Sequence, residues 1–221
     1  MIHEILKQIF PLERGINPDI VHVPIQRFNE PFSKSDTKAC NPCQANRTNR
    51  AGCNREILKV NNRGEEIAVV NYEEYSSQFG GQTPRCDLIL ADSGKNRRKI
   101  VFCELCCCEE RYIEPNTGNS YPEGKRARAR QQMDKSIDEL IRMSTTAVNL
   151  LTYSEKVCLF AWRNYNVADL SLEAKRGNAR ANVQPFIRTV SNMAQTATAH
   201  RKKLNHDFFF VQINYPTAYN W

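Results

Sequence analysis

The sequence predicts an α/β fold in which a mixed central β-sheet is flanked by helices. Two observations predict it. Several short apolar runs are separated by turns that contain Gly, Asn or Pro, and a long segment with helical spacing lies between two of the most apolar runs. Strands in series with a long helix are typical of α/β folds. A chain of 221 residues can bury a sizeable core within one domain.

The first 55 residues differ in character from the remainder. A short amphipathic helix is predicted from Ile2 to Phe10, ending before Pro11, and residues 11–55 then show little periodicity. Long loops in compact domains usually require a staple or a function. We therefore divide the chain into an N-terminal helix and Cys-containing loop module, residues 1–55, and an α/β core, residues 56–221.

Three cysteines offer a staple for this module. Cys40, Cys43 and Cys53 follow the spacing Cys-x2-Cys-x9-Cys, and a Cys-x-x-Cys pair lets two thiolates bind one tetrahedral zinc ion. Such a zinc would be structural, because the loop has no core of its own. A set of free thiols is the alternative. The fourth ligand stays open among distant residues: His22, Cys86, Cys106, Cys107 and Cys108.

The core is predicted to begin with two β-hairpins. The first has strands at 56–60 and 66–72 around the turn Asn61-Asn62-Arg63-Gly64. Residues 73–84 are polar and predicted to be a connector. The second hairpin has strands Asp87 to Ala91 and Lys99 to Leu105 around a Gly-containing turn.

The remaining elements are a long helix and further strands. Apolar residues on one helical face predict a helix at about 123–150, followed by a buried strand at 156–162. A helix at 182–203 and a last strand at 207–215 complete the prediction.

The second hairpin carries one carboxylate in each apolar run, Asp87 and Glu104. A carboxylate in such a run is costly unless it is paired or binds a metal. Acids on adjacent strands of one hairpin can converge on one ion, and Mg²⁺ is held by one or two carboxylates together with substrate phosphate. The alternative is that both acids are ordinary strand residues with structural partners.

Asp87, the run Glu104-Leu105-Cys106 and the order strand, strand, strand, long helix, strand resemble the PD-(D/E)xK nuclease superfamily. The resemblance covers residues 56–163, and Pro84 stands near the position of the Pro in its motif. It implies a restriction-endonuclease-like core in which Asp87 and Glu104 hold Mg²⁺ for phosphodiester hydrolysis in DNA or RNA. It also implies a glutamine on the following helix, at Gln131 or Gln132.

One motif residue departs from the family, because the expected lysine is Cys106. A cysteine supplies no fixed positive charge near neutral pH. Lys125 or Arg126, at the start of the following helix, would replace that charge. Lys99 would not, because its odd offset from Glu104 turns it to the other face of the strand. A catalytically inactive, nuclease-like binding or assembly module with a structural zinc is the second interpretation, and an unrelated zinc protein is the third.

Positive charge is concentrated at the start of the long helix. The chain has a net charge of +7, which favours polyanionic partners. Cations at a helix N-terminus oppose the macrodipole, so they require a reason, either contact with phosphate or salt bridges to Glu109, Glu110 or Glu114. The predicted nucleic-acid-binding residues are Lys125, Arg126, Arg128, Arg130 and Gln132.

Composition also bears on compartment and partners. No apolar run reaches the roughly 18 residues of a transmembrane helix, and the N-terminus lacks the apolar region of a signal peptide. We therefore expect a cytoplasmic protein without membrane contact. Nine cysteines without a secretory signal indicate thiols or metal ligands rather than disulfides. A homodimer or a protein partner remains open.

Overall fold

Ten strands form two sheets in the computed structural model, which describes residues 1–36, 40, 55–80, 84–94, 97–118, 122–164 and 202–221. The seven-stranded sheet has the order β1-β4-β5-β6-β7-β9-β8 and the three-stranded sheet the order β10-β3-β2. The strands are β1 (Ile25–Phe28), β2 (Phe32–Lys34), β3 (Leu58–Asn61), β4 (Ile67–Asn71), β5 (Leu88–Asp92), β6 (Lys99–Cys108), β7 (Glu155–Asn164), β8 (Lys202–Lys203), β9 (Phe209–Asn214) and β10 (Ala218–Asn220).

The helices are mostly short. They are α1 (Ile2–Glu4), a π-helical turn (Ile5–Ile9), α2 (Phe10–Glu13), α3 (Tyr72–Ser77), α4 (Gly124–Ile141) and α5 (Ser144–Leu151), with 3₁₀ turns at Pro18–Ile20, Glu110–Tyr112 and Asn205–Asp207. The first helix does not end before Pro11 as predicted. It continues to Glu13, and the π-helical turn before Pro11 accommodates a residue that has no N–H to donate.

The central strands follow the predicted order along the chain, but the predicted hairpin of residues 56–60 and 66–72 does not form, because β3 pairs with β2 and β10 whereas β4 pairs with β1 and β5. β4, β5 and β6 form an antiparallel meander, and β7 lies parallel to β6. A parallel pair requires a crossover connection, and α4 and α5 supply it. The mixed α/β class with a helix-flanked mixed sheet is thereby confirmed.

The predicted helix at 123–150 is two helices. Met143 adopts an extended conformation between α4 and α5, so the first amides of α5 need acceptors. The Glu13 carboxylate supplies them, accepting hydrogen bonds from Thr145 N at 2.6 Å and from Thr146 N at 2.9 Å. The helix predicted at 182–203 lies outside the described residues except for its last two, which form β8.

Two regions predicted to be irregular contain regular structure. β1 and β2 lie within the segment predicted to be loop, and β1 pairs with β4 in the large sheet. α3 begins at Tyr72, the last residue of a predicted strand, and otherwise lies in the predicted connector; at its start the Asn71 side chain accepts a hydrogen bond from Glu74 N at 3.2 Å. Asn at this position is a strong N-cap.

The two faces of the large sheet are covered differently. Helices cover the face of β6 that bears Phe102, whose ring meets Tyr72 of α3 edge-on, and α4 packs against β6 and β7. The small sheet covers the other face, where Lys99 Nζ lies 5.3 Å from the rings of Tyr219 and Trp221. Because strand side chains alternate, Glu104 and Cys106 share the helix-covered face with Phe102, and Lys99 points away from them as predicted.

None of the helices in the described ranges has the length and apolarity needed to span a bilayer.

Candidate active site

Asp87 and Glu104 lie one position beyond the end of the β5–β6 ladder. The pairing runs from Ala91↔Ile100 to Leu88↔Cys103, and the next position in this register sets Asp87 opposite Glu104. Opposed residues of an antiparallel pair lie on one face, with Cβ atoms about 4.5–5.5 Å apart. The structure therefore brings the two predicted acids together, on the face that α4 covers.

A backbone hydrogen bond fixes the Asp87 carboxylate. Asp87 is 5% exposed, and its Oδ2 accepts a hydrogen bond from Leu105 N at 2.7 Å. The bond arises because β6 continues to Cys108 while β5 begins only at Leu88. The carboxylate thus takes the place that a main-chain carbonyl of β5 would fill in a longer ladder.

Cys106 and Cys108 extend the same face beyond Glu104. Cys106 donates a hydrogen bond to Cys108, with their Sγ atoms 3.2 Å apart. This hydrogen bond, together with burial, raises the pKa of the Cys106 thiol, and the same bond lowers the pKa of Cys108. Cys106 therefore keeps its proton at neutral pH. The motif position that carries lysine in the nuclease family holds an uncharged thiol.

The Lys125 ammonium acts on this thiol pair from the first turn of α4. Besides the larger effects of the hydrogen bond and burial, Lys125 lowers the pKa of both Cys106 and Cys108, whereas Glu104 raises that of Cys106. Glu104, Cys106 and Lys125 are thus close enough to interact electrostatically. Of the two cations predicted to replace the motif lysine, Lys125 is the one whose charge lowers the pKa of the thiol at the motif position.

Gly124 fixes where α4 begins. Its φ is +80°, and a Cβ there would lie 2.6 Å from both Ile113 O and Glu114 C. The helix start therefore lies directly against the 113–114 backbone, and Arg126 N donates to Ile113 O at 3.2 Å. This close approach fixes the position of the first turn of α4, which carries Lys125.

The other predicted nucleic-acid-binding residues contact neighbouring protein groups. Arg126 forms a salt bridge with Glu114, as the alternative interpretation expected, and Arg130 Nε lies 3.7 Å from Asp134 Oδ2. Gln132 Nε2 donates to Arg85 O at 3.0 Å. Arg128 is half-buried on the same helix.

Sequence reasoning did not identify Trp162 as a neighbour of the motif. Trp162 is the partner of Cys106 in the parallel β6–β7 register and is 7% exposed. Its indole Nε1 is buried and has no hydrogen-bond acceptor within the described residues. Its place in a continuous apolar run gave it the signature of a core residue, so only the β6–β7 register reveals its position beside the motif.

The acid pair is the candidate metal site among the described residues. Two carboxylates suit Mg²⁺, which usually keeps several waters and takes further oxygens from substrate phosphate. Across the described ranges, no group of three or more His, Cys, Asp or Glu side chains is arranged to hold a metal ion. Of the predicted zinc ligands, Cys40 is described, whereas Cys43 and Cys53 lie outside the described residues.

No family model, curated protein or solved structure is significantly similar to this chain.

Proposed function

We propose that this protein is a PD-(D/E)xK-like nuclease that hydrolyses phosphodiester bonds in nucleic acid with Mg²⁺. The observation that carries the proposal is the convergence of three groups on one face of β6. Asp87 and Glu104 directly adjoin the last pair of the β5–β6 ladder, Leu88↔Cys103, and Lys125 acts electrostatically on Cys106, two residues from Glu104. The strand meander, crossover helix and parallel strand around them support a restriction-endonuclease-like core.

In this proposal each group has a distinct role. Asp87 and Glu104 would hold Mg²⁺, which when bound polarises the phosphoryl oxygens and lowers the pKa of an attacking water. The hydrogen bond from Leu105 N holds Asp87 in one orientation. Lys125 supplies the fixed positive charge that stabilises the negative charge developing on the phosphoryl group.

A cleavage assay tests the proposal. Purified protein with Mg²⁺ or Mn²⁺ should cleave DNA or RNA, and EDTA should stop the reaction. Glu104→Gln should lower the rate at least about 100-fold, because one metal ligand loses its charge. Glu155→Gln is the matched control, since Glu155 lies on the adjacent strand and pairs with Lys99 at 3.2 Å. Cleavage by Glu104→Gln at the wild-type rate would refute the proposal.

A charge exchange tests Lys125 itself. Lys125→Gln should lower the cleavage rate about 100-fold, as removal of one transition-state donor does. Adding Cys106→Lys to that variant restores the family's motif lysine and should recover much of the lost rate. An unchanged rate in the single variant would show that the missing charge does not come from Lys125.

The alternative function is a catalytically inactive binding or assembly module of the same fold. The observation that favours it is the burial of Asp87 and its bond to Leu105 N, which is a structural role in itself. This alternative predicts nucleic-acid or protein binding without cleavage at any concentration of Mg²⁺ or Mn²⁺.

With either function, we propose that the N-terminal module binds a structural zinc ion. It would be bound by Cys40, Cys43 and Cys53 with one further ligand. Metal analysis of the purified protein should find one zinc ion per chain, and Cys40→Ser should lose it. Purified wild-type protein without zinc would remove this part of the proposal.

A further inference from the structure

A cavity rich in positive charge lies along the second half of α4. Its volume is about 380 Å³, within the range of small-ligand pockets. The end of α2, the residues before β5 and the second half of α4 contribute its walls. Four cations and two carboxylates line it: Arg14, Arg85, Lys135, Arg142, Asp138 and Glu139.

Glu139 organises one side of this cavity. Its Oε2 accepts a hydrogen bond from Arg85 Nε at 2.6 Å, and its Oε1 accepts one from Arg14 at 3.2 Å. Tyr72 also donates its hydroxyl hydrogen to Oε2, at 3.3 Å. The hydrogen bond to Glu139 raises the pKa of the Arg85 guanidinium. One carboxylate thus fixes two guanidinium groups and leaves one positive charge in excess.

Two further cations complete the lining. Lys135 and Arg142 are exposed, and neither forms an ion pair with any residue in the described ranges. The second carboxylate, Asp138, is also exposed and lies 3.9 Å from His206 Nε2. Four cations against two carboxylates leave an excess of two positive charges. A concave site with an excess of one charge sign concentrates oppositely charged ligands. Guanidinium groups also match the geometry of phosphate.

The cavity is tied to the candidate active site through Arg85. Arg85 stands two residues before Asp87, and its carbonyl accepts the hydrogen bond from Gln132 in the middle of α4. We propose that this cavity binds a backbone phosphate of the nucleic-acid strand, next to the phosphate at the acid pair. The inference rests on the proposed function and adds a substrate contact that Lys125 does not provide. Contacts to non-reacting phosphates fix the register of a nucleic-acid strand.

The test measures binding without cleavage. Full-length Glu104→Gln protein in EDTA is titrated into fluorescently labelled DNA and RNA oligonucleotides, and anisotropy is followed at several salt concentrations. The second protein adds Lys135→Gln and Arg142→Gln. The control instead adds Arg63→Gln and Arg98→Gln, which remove two exposed cations outside the cavity. Unchanged thermal unfolding midpoints ensure that only surface charge differs.

The cavity variant should bind about tenfold more weakly. The slope of log affinity against log salt concentration should become less negative by about 1.5 to 2, because two cations are removed. The control should stay within about twofold of its parent. Equal affinities for the cavity variant and the control would overturn the inference. If inorganic pyrophosphate binds the parent as tightly as the oligonucleotides and loses affinity in the cavity variant, the ligand is a free phosphate compound and the nucleic-acid assignment is overturned.

These binding measurements, together with the cleavage assay, separate this inference from the proposed function. Loss of oligonucleotide binding in the cavity variant, combined with a wild-type protein that never cleaves, would support the phosphate site and refute the nuclease. Cleavage by the wild-type protein, combined with normal binding by the cavity variant, would support the nuclease and refute the phosphate site.

Discussion

The two ends of the β5–β6 hairpin use the same local structure in different surroundings. At each end a buried aspartate, one just before β5 and one at its last position, accepts a hydrogen bond from a backbone N–H of β6. Asp87 accepts from Leu105 at 2.7 Å, and Asp92 accepts from Lys99 at 2.9 Å. The two aspartates are 5% and 6% exposed. A buried, backbone-bonded carboxylate is therefore not in itself a sign of a functional site.

The surroundings distinguish the two ends. Beside Asp92, the cation Lys99 pairs with Glu155 and lies over two aromatic rings, so its charge is used within the structure. Beside Asp87 there is a second carboxylate, Glu104, and the thiol pair on which Lys125 acts. Further charged groups meet at both ends, and the ends differ in what the cation acts on: Lys99 pairs with the carboxylate of Glu155, whereas Lys125 acts on the thiol pair next to Glu104.

Asparagine substitutions of the two aspartates should give the largest difference between the two ends of the hairpin. Asp87→Asn and Asp92→Asn each exchange a buried carboxylate for an amide of nearly the same shape. Each should lower the free energy of unfolding by about 1–3 kcal/mol, because a charge-assisted hydrogen bond is weakened. Only Asp87→Asn should also lower the cleavage rate, by about 100-fold or more. Urea unfolding and the cleavage assay, run on both variants, separate the two effects. Equal losses of activity would mean that the two ends do not differ in function.

A comparison of two glycine variants tests whether the close backbone approach at Gly124 sets the position of Lys125. Gly124 and Gly64 both have φ +80°, but a Cβ would meet backbone 2.6 Å away only at Gly124. Gly64→Ala should cost about 1–2 kcal/mol of unfolding free energy from the left-handed conformation alone. Gly124→Ala should cost about 1–3 kcal/mol more, because the start of α4 must move away from residues 113–114. Denaturant unfolding measures both costs, and equal costs would show that the close approach is not tight.

The proposed nuclease activity should also differ between the two glycine variants. Displacing the start of α4 carries Lys125 away from Cys106, so Gly124→Ala should also slow cleavage, measured at a temperature where both variants are folded. Gly64→Ala, in the turn between β3 and β4, should cleave at the wild-type rate.

The hairpin and its acids could be predicted because the information is local. Asp87 and Glu104 lie 17 positions apart in one hairpin, so apolar runs and one turn are enough to place them opposite each other. The same holds for Lys99, whose side follows from strand alternation. For α3, the local signal was present but not used, since Asn71 and Glu74 have N-cap spacing.

The basic cavity could not be predicted in this way. Arg14 and Glu139 are 125 positions apart, and Arg85 and Glu139 are 54 apart. Their meeting depends on how α2, α4 and the approach to β5 pack together, which no periodicity encodes. The same limit applies to Trp162, whose place beside Cys106 follows only from the parallel register.

Glu13 provides the smallest test, for an acid whose role is entirely structural. Burial raises the pKa of Glu13, but hydrogen bonds from Thr146 and Thr145 outweigh this and hold the pKa at about 2. A carboxyl with a lowered pKa stabilises the fold above its unfolded pKa, near 4.5, and that stabilisation is lost as the pH falls towards 2. Glu13→Gln should therefore cost about 1 kcal/mol at pH 7, as loss of a helix cap does.

The difference in unfolding free energy between Glu13→Gln and wild type should shrink as the pH falls from about 4.5 to 2, because protonation removes the charge that the substitution also removes. Denaturant unfolding across this range measures it, with the exposed Glu30→Gln as a control that should show little difference at any pH. Cleavage at pH 7 should be unaffected by Glu13→Gln. A loss of activity there would mean that capping of α5 reaches the Asp87 end, and that carboxylates supporting the helix layer cannot be separated from those of the candidate site.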